Sequence, residues 1–198
     1  MKKKIPARKW MSILLVLVGL GIVLSNIRPI FQQTNESQFQ NKQEKIAPKA
    51  VKEKVDSKSL YAVRYKIGDR IGDLEIPKLS KTLPIFHGAN EDELEKGVGH
   101  FAGSVLPGEK DNSVLSGHRD TVFRQLGKIG KGDLLIVRTS AGKFTYKVRR
   151  TRIVDADDRT VIVPKPRATL TVTTCYPFSY IGNAPQRYIL IADLISSM

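Results

Sequence analysis

The chain of 198 residues contains a single cysteine, Cys175, and three histidines, His87, His100 and His118. Cys175 closes the run ATLTVTTCYPF, and Arg187 follows it in IGNAPQRYILIADLI. A free thiol ionises near ~8.5, a neighbouring cation favours its thiolate, and the thiolate is the nucleophile. Histidine titrates near ~6.5 and can protonate a leaving amine. Arginine stays charged and offers a planar fork of donors that can hold a carbonyl or the oxyanion of a tetrahedral intermediate. Together the three types would transfer an acyl group through a thioester. The plain alternative is a buried cysteine packed as a small hydrophobe.

The histidines are not equivalent. His87, in LPIFHGAN, sits beside a glycine that turns the chain and reads as solvated or capping. His100, in GVGHFAGS, lies between glycines and reads equally as structural or functional. His118 comes directly off a strand in NSVLSGHRDT, after a glycine and before a charged pair. SGHRD is also an ordinary polar turn. Arg187 stands at the mouth of an apolar strand, where a lone arginine is usually solvated. A loop of that length between adjacent antiparallel strands would nevertheless return it to the cysteine's end of the sheet.

The elements that must position these residues are short. From residue 71, β-branched runs recur between Gly, Pro and Asp: IGDLEIP, LPIFHG, NSVLSGH, GDLLIVRT, GKFTYKVRRTRIV, TVIVP, ATLTVTTC and RYILIADLI. This spacing predicts an all-β barrel or sandwich. TSAGKFTYKV predicts a hairpin turning at Ala141-Gly142, with Phe144, Tyr146 and Val148 on one face. Helix is scarce. EDELEKGVG predicts a turn or two capped by Asn90, with acids in the first turn, and DTVFRQL predicts another after His118.

The formal charge of +14 sits mostly outside this region: five charges fall in residues 1–9, five in 28–70 and only four in 71–198. The folded part is mildly basic, with Arg149, Arg150 and Arg152 as a local cluster. That distribution argues against a nucleic-acid footprint. Trp10 to Ile27 is an uncharged stretch of 18 residues behind MKKKIPARK, long enough to cross a hydrocarbon core. The basic flank predicts a cytoplasmic N-terminus and an external remainder. A cleaved signal peptide, with a faint site at Val23-Leu24-Ser25, and a buried core helix are the alternatives. Residues 28–65 are polar and lack a sustained apolar period, so they read as a spacer or a loose helix. The expected divisions are 1–9 basic N-terminus, 10–27 anchor, 28–65 spacer and 66–198 catalytic domain. An external domain with one cysteine can form no internal disulfide, which leaves the thiol open to chemistry.

Three motifs now carry a resemblance. TVTTCYPF resembles the TLxTC signature of sortases, SGHRDT resembles their histidine segment, and APQRYI resembles their arginine strand. The likeness covers most of residues 71–198 in family order, and the basic anchor plus spacer is similar to the class D type of Gram-positive bacilli. The resemblance implies an all-β, eight-stranded sortase-type β-barrel with a few short helices, preceded by a transmembrane helix and spacer. It also implies a cysteine transpeptidase that cleaves an LPxTG-like sorting signal of surface proteins between Thr and Gly. The Thr carboxyl is then passed to an amine of the peptidoglycan precursor.

Carried over by position, Cys175 is the nucleophile, His118 the general acid and base, and Arg187 the carbonyl and oxyanion holder. Ser116, Thr173 and Thr174 would line the groove. DADDRTVIVPKPR, with Val161 and Val163, matches the segment that clasps the signal's Leu-Pro end. Val172 replaces the signature's Leu, an apolar exchange that alters packing more than chemistry. Calcium-activated sortases carry several acids ahead of the histidine, whereas GSVLPGEKDNSVLSGH offers Glu109 and Asp111. Even with Asp155, Asp157 and Asp158 nearby, this falls short of the six to eight oxygens calcium prefers. No cofactor and no metal are expected. Two other classes could use this sequence: a hydrolytic cysteine peptidase with the same three residues, and a non-catalytic membrane-tethered wall-binding module.

Overall fold

The computed structural model describes residues 60–179, 182 and 184–198. The expected anchor and nearly all of the expected spacer lie outside these residues. Eight strands form a closed barrel: β1 Arg70–Ile76, β2 Lys81–His87, β3 Val98–His100, β4 Asn112–Ser116, β5 Leu134–Thr139, β6 Gly142–Asp155, β7 Thr169–Tyr176 and β8 Gln186–Ser197. Around the barrel they run β1-β2-β3-β4-β7-β8-β6-β5. Closure leaves no unpaired sheet edge to attract another chain.

Alternation builds the interior. Leu74 and Ile76 of β1, Leu135 and Val137 of β5, Leu170 and Val172 of β7, and Leu190 and Ala192 of β8 are all fully buried in one cluster. Each pair is two residues apart, so both members face the same side of the sheet. Gly72 is required by closeness rather than by a turn. A Cβ there would run into the carbonyl oxygen of Arg138 on β5.

Two pairings are parallel, β2 with β3 and β4 with β7. Parallel neighbours need a crossover, and a helix usually supplies it. Between β2 and β3 this is α1, Glu91–Lys96, with Asn90 as N-cap and Glu91, Asp92 and Glu93 in its first turn. Glu93 reaches back to accept the Asn90 N–H at 3.1 Å. The expected cap and acidic first turn are therefore present. The stretch after His118 differs from expectation: residues 119–125 form turns, and the one regular piece is a 3-10 turn at Leu126–Lys128. Phe123 and Leu126 are buried there, and two buried residues three apart suit a turn over the barrel end as well as a helix.

The hairpin pairs Thr139 with Gly142, so its turn is Ser140-Ala141, one residue earlier than expected. Phe144, Tyr146 and Val148 do share the inner face. Packing against the barrel also begins before residue 66. Tyr61 is buried, with its hydroxyl donating to the Pro107 carbonyl at 2.6 Å. An amphipathic ring can bury its body where the hydroxyl finds a partner, which the polar texture of the spacer conceals.

Candidate active site

Leu170 and Val172 point into the barrel, so Thr171, Thr173 and Cys175 point out of it. On β8 the inner residues are Leu190 and Ala192, and Ile189 and Ile191 belong to a separate cluster with Val154 and Val161 on the outer side. Arg187 shares that outer face by the same period. In the β7–β8 register Cys175 is directly opposite Arg187. Opposed residues of an antiparallel pair carry their Cβ atoms about 4.5–5.5 Å apart on one face. The expected return of the arginine to the cysteine's end is thus realised as a cross-strand pair.

His118 reaches the same place from the other neighbour of β7. Ser116 pairs with Thr173 in parallel register, and the pattern continues one step past the strand. The Gly117 N–H donates to the Thr173 carbonyl at 3.3 Å, and the Thr174 hydroxyl donates to the Gly117 carbonyl at 2.7 Å. Extending the Ser116–Thr173 register by two residues would set His118 opposite Cys175. Gly117 tolerates no side chain here, since a Cβ would lie 2.6 Å from the Phe123 ring. On the far side Arg119, only 6% exposed, donates from Nη1 to the Pro177 carbonyl at 3.0 Å. The histidine is held between a tie to β7 on one side and a tie to Pro177, just past the end of β7, on the other.

Cys175 is half-buried. Arg187 donates through Nη1 to the carbonyls of Ala184 and Gln186, each at 3.0 Å. That fixes one corner of the guanidinium. Its Nη2 and Nε make no bond among the described residues and remain available to a carbonyl. His118 Nε2 lies 3.2 Å from a Glu91 carboxylate oxygen at the start of α1, with side chains 31% and 63% exposed. An ion pair this exposed contributes little to stability.

The other expected site residues divide. Ser116 and Thr173 are half-buried register partners beside Cys175. Thr174 is not on their face. It points inward, is 3% exposed, and spends its hydroxyl on Gly117, because a one-residue step along a strand reverses the side. Val161 is likewise no exposed groove residue, being packed on Val154, Ile189 and Ile191. Val163 is half-buried, and its carbonyl accepts from Asn112 Nδ2 at 3.1 Å.

His87 and His100 are elsewhere, stacked at 5.2 Å between ring centroids. His100 is fully buried, its Nε2 2.9 Å from the Val105 carbonyl. Burial holds its pKa down at about 4 and also lowers that of His87. Fully buried, bonded to Val105 and stacked on His87, His100 fits the structural reading. Of the acids considered for calcium, Glu109 accepts the Leu106 N–H at 2.8 Å. Asp111 accepts the Asn112 and Lys165 N–H groups at 2.7 and 2.6 Å.

Sequence reasoning passed over Arg119, Glu91 and Asn112. Arg119 was visible only as half of a charged pair, and nothing local distinguishes a buried arginine from a solvated one. The geometry can place a thiolate, a proton donor and a fixed cationic fork around one carbonyl carbon, which is the equipment of acyl transfer.

Residues 74–195 match the family model described as the sortase domain. The chain is 40% identical to Sortase D of Bacillus subtilis (strain 168) over 206 aligned residues, covering 99% of this chain and 100% of the relative. It is 26% identical to Sortase A of Streptococcus agalactiae, over 94% of this chain and 84% of that protein. Among solved structures, the catalytic domain of B. anthracis SrtD is similar with a TM-score of 0.59 and 44% identity, covering 72% of this chain and 98% of that one. A Clostridium perfringens Sortase D5 transpeptidase gives 0.61 and 30%, covering 67% and 83%.

Proposed function

The chain belongs to the sortase family of cell-wall sorting cysteine transpeptidases, and from that membership we propose that Cys175, His118 and Arg187 divide the reaction among them. The observation that supports the assignment is the Cys175–Arg187 cross-strand pair, with Gly117, the residue before His118, tied to the neighbouring Thr174. The Cys175 thiolate attacks the Thr carbonyl carbon of an LPxTG-like signal, forming a C–S bond. The Arg187 guanidinium receives the oxyanion. As the Thr–Gly C–N bond breaks, the His118 imidazolium gives its proton to the departing glycine amine. An amine of the peptidoglycan precursor then attacks the thioester, returns a proton to His118 and expels the thiolate. Ser116 and Thr173 line the groove, and residues 155–167, which include most of the β6–β7 connection, clasp the signal's Leu-Pro end.

Incubating the full chain with an LPxTG-like peptide and an excess of a nucleophilic amine is expected to yield mainly the amide, read by its mass. Free acid alone, unchanged by the amine, would favour the hydrolytic alternative. Residues 10–27 act as a retained anchor with the barrel outside the cell. The full chain is accordingly expected in the membrane fraction, with a soluble barrel released by external protease. Recovery of the intact chain in the cytosolic fraction would exclude the anchor.

A further inference from the structure

The β6–β7 connection lies on the outer face of the barrel next to the proposed site. Val161 is buried on Ile189 and Ile191, the outer residues of β8 that follow Arg187. An apolar contact of that kind is non-directional and does not by itself fix the height of a loop. Polar contacts beneath it do. Asn112, the first residue of β4, is 5% exposed. Its Nδ2 donates to the carbonyls of Val161 and Val163 at 3.3 and 3.1 Å, and its Oδ1 accepts the Thr171 hydroxyl at 2.7 Å. Carbonyls only accept, so the amide nitrogen must face them, and the network settles the orientation.

Asp111, immediately before, completes the attachment. Its Oδ1 accepts the Lys165 N–H at 2.6 Å, and its carbonyl accepts the Thr169 N–H at 2.9 Å. It does so at a φ of 137°, a region costly for any residue with a side chain. Strain of this sort persists where the surroundings over-determine it, and it gathers at functional sites. Lys165 is partly buried and near Arg149, Arg150 and Arg152, and both burial and these cations lower its pKa. Asp111 is the carboxylate that offsets them.

We propose that Asp111 and Asn112 are positioning residues that hold the β6–β7 connection at the height the sorting signal needs, so that they set peptide affinity without entering the chemistry. This rests on the reading of that connection as the clasp. Asn112 is buried, and neither residue touches Cys175, His118 or Arg187 among the described contacts. The role belongs to the loop's floor.

The test uses the full chain in detergent. Asn112→Asp keeps the shape but sets a carboxylate oxygen against two carbonyls in place of a donor. Leaving those buried acceptors unpaired is expected to raise KM for an LPxTG-like peptide by about ten- to a hundredfold, with kcat changed less than about threefold. Backbone deuterium exchange over residues 158–168 is expected to accelerate, while alkylation of Cys175 by iodoacetamide keeps its rate. Thr171→Val removes only the hydroxyl that orients the amide and is expected to give a smaller KM increase in the same direction. The two changes together should be less than additive, as for residues in one network. Should Asn112→Asp not fold, Thr171→Val carries the test alone. Unchanged exchange, or equal losses in kcat and kcat/KM with altered alkylation, would overturn the proposal. The exchange measurement needs no substrate, so failure of the wild-type chain to process the peptide would count against the clasp reading and not against the attachment.

Discussion

Cys175→Ala is expected to abolish thioacyl formation entirely, the largest effect of any single change in the molecule. The chain has no second sulfur nucleophile of this kind, and no hydroxyl stands at that register position to replace it. Cys175 is paired with Arg187 within the β7–β8 ladder and is only half-buried, so Ala at this position leaves the backbone pairing intact. The variant is expected to fold, to keep its affinity for the sorting peptide, and to trap that peptide uncleaved. Mass spectrometry of the intact protein after incubation with peptide reads the result. An acyl adduct on the variant, or peptide cleavage at the wild-type rate, would remove the cysteine from the mechanism.

What the sequence discloses about this site is the part written in local pattern. The period of two through Leu170, Val172 and Thr174 announces β7, and the spacing to Arg187 announces the antiparallel return. The acids after Asn90 announce α1. Hidden from it is the second burial of the sheet. Thr171 and Ile191 are fully buried on the outer face, yet a strand covered on both sides by distant chain does not differ locally from one covered on one side. For that reason Val161 reads as a groove residue when it is a small core, and Thr174 reads as a groove residue when it braces Gly117. Gly142 illustrates the same limit. It looks like a turn glycine and does hold a φ of 135°, but it has a second need that no local pattern shows, since a Cβ would meet the Met198 carbonyl oxygen. Local chemistry names the residue type, and long-range approach supplies the reason.

His118 and Arg187 are separable by their expected losses. His118→Ala removes the proton donor to the departing amine while leaving the thiol and the fork, and general acid–base catalysis contributes about 10²–10⁴ in rate. The proposed role of Arg187 depends on geometry. Its Nη1 is already held by the Ala184 and Gln186 carbonyls, which restrains the guanidinium before substrate arrives. Lysine at this position keeps one positive charge but has no planar fork, and its ammonium would satisfy those two carbonyls with the same nitrogen that must reach the substrate. Arg187→Lys is therefore expected to fall by about 10²–10³ in kcat, the loss seen when one oxyanion donor is removed. Its KM should change much less. Single-turnover measurement of acyl-enzyme formation, on a variant whose membrane yield matches wild type, separates this from a folding defect. A lysine variant within a few-fold of wild type would mean that charge near the thiolate suffices and that directed hydrogen bonding from Arg187 is not what stabilises the oxyanion.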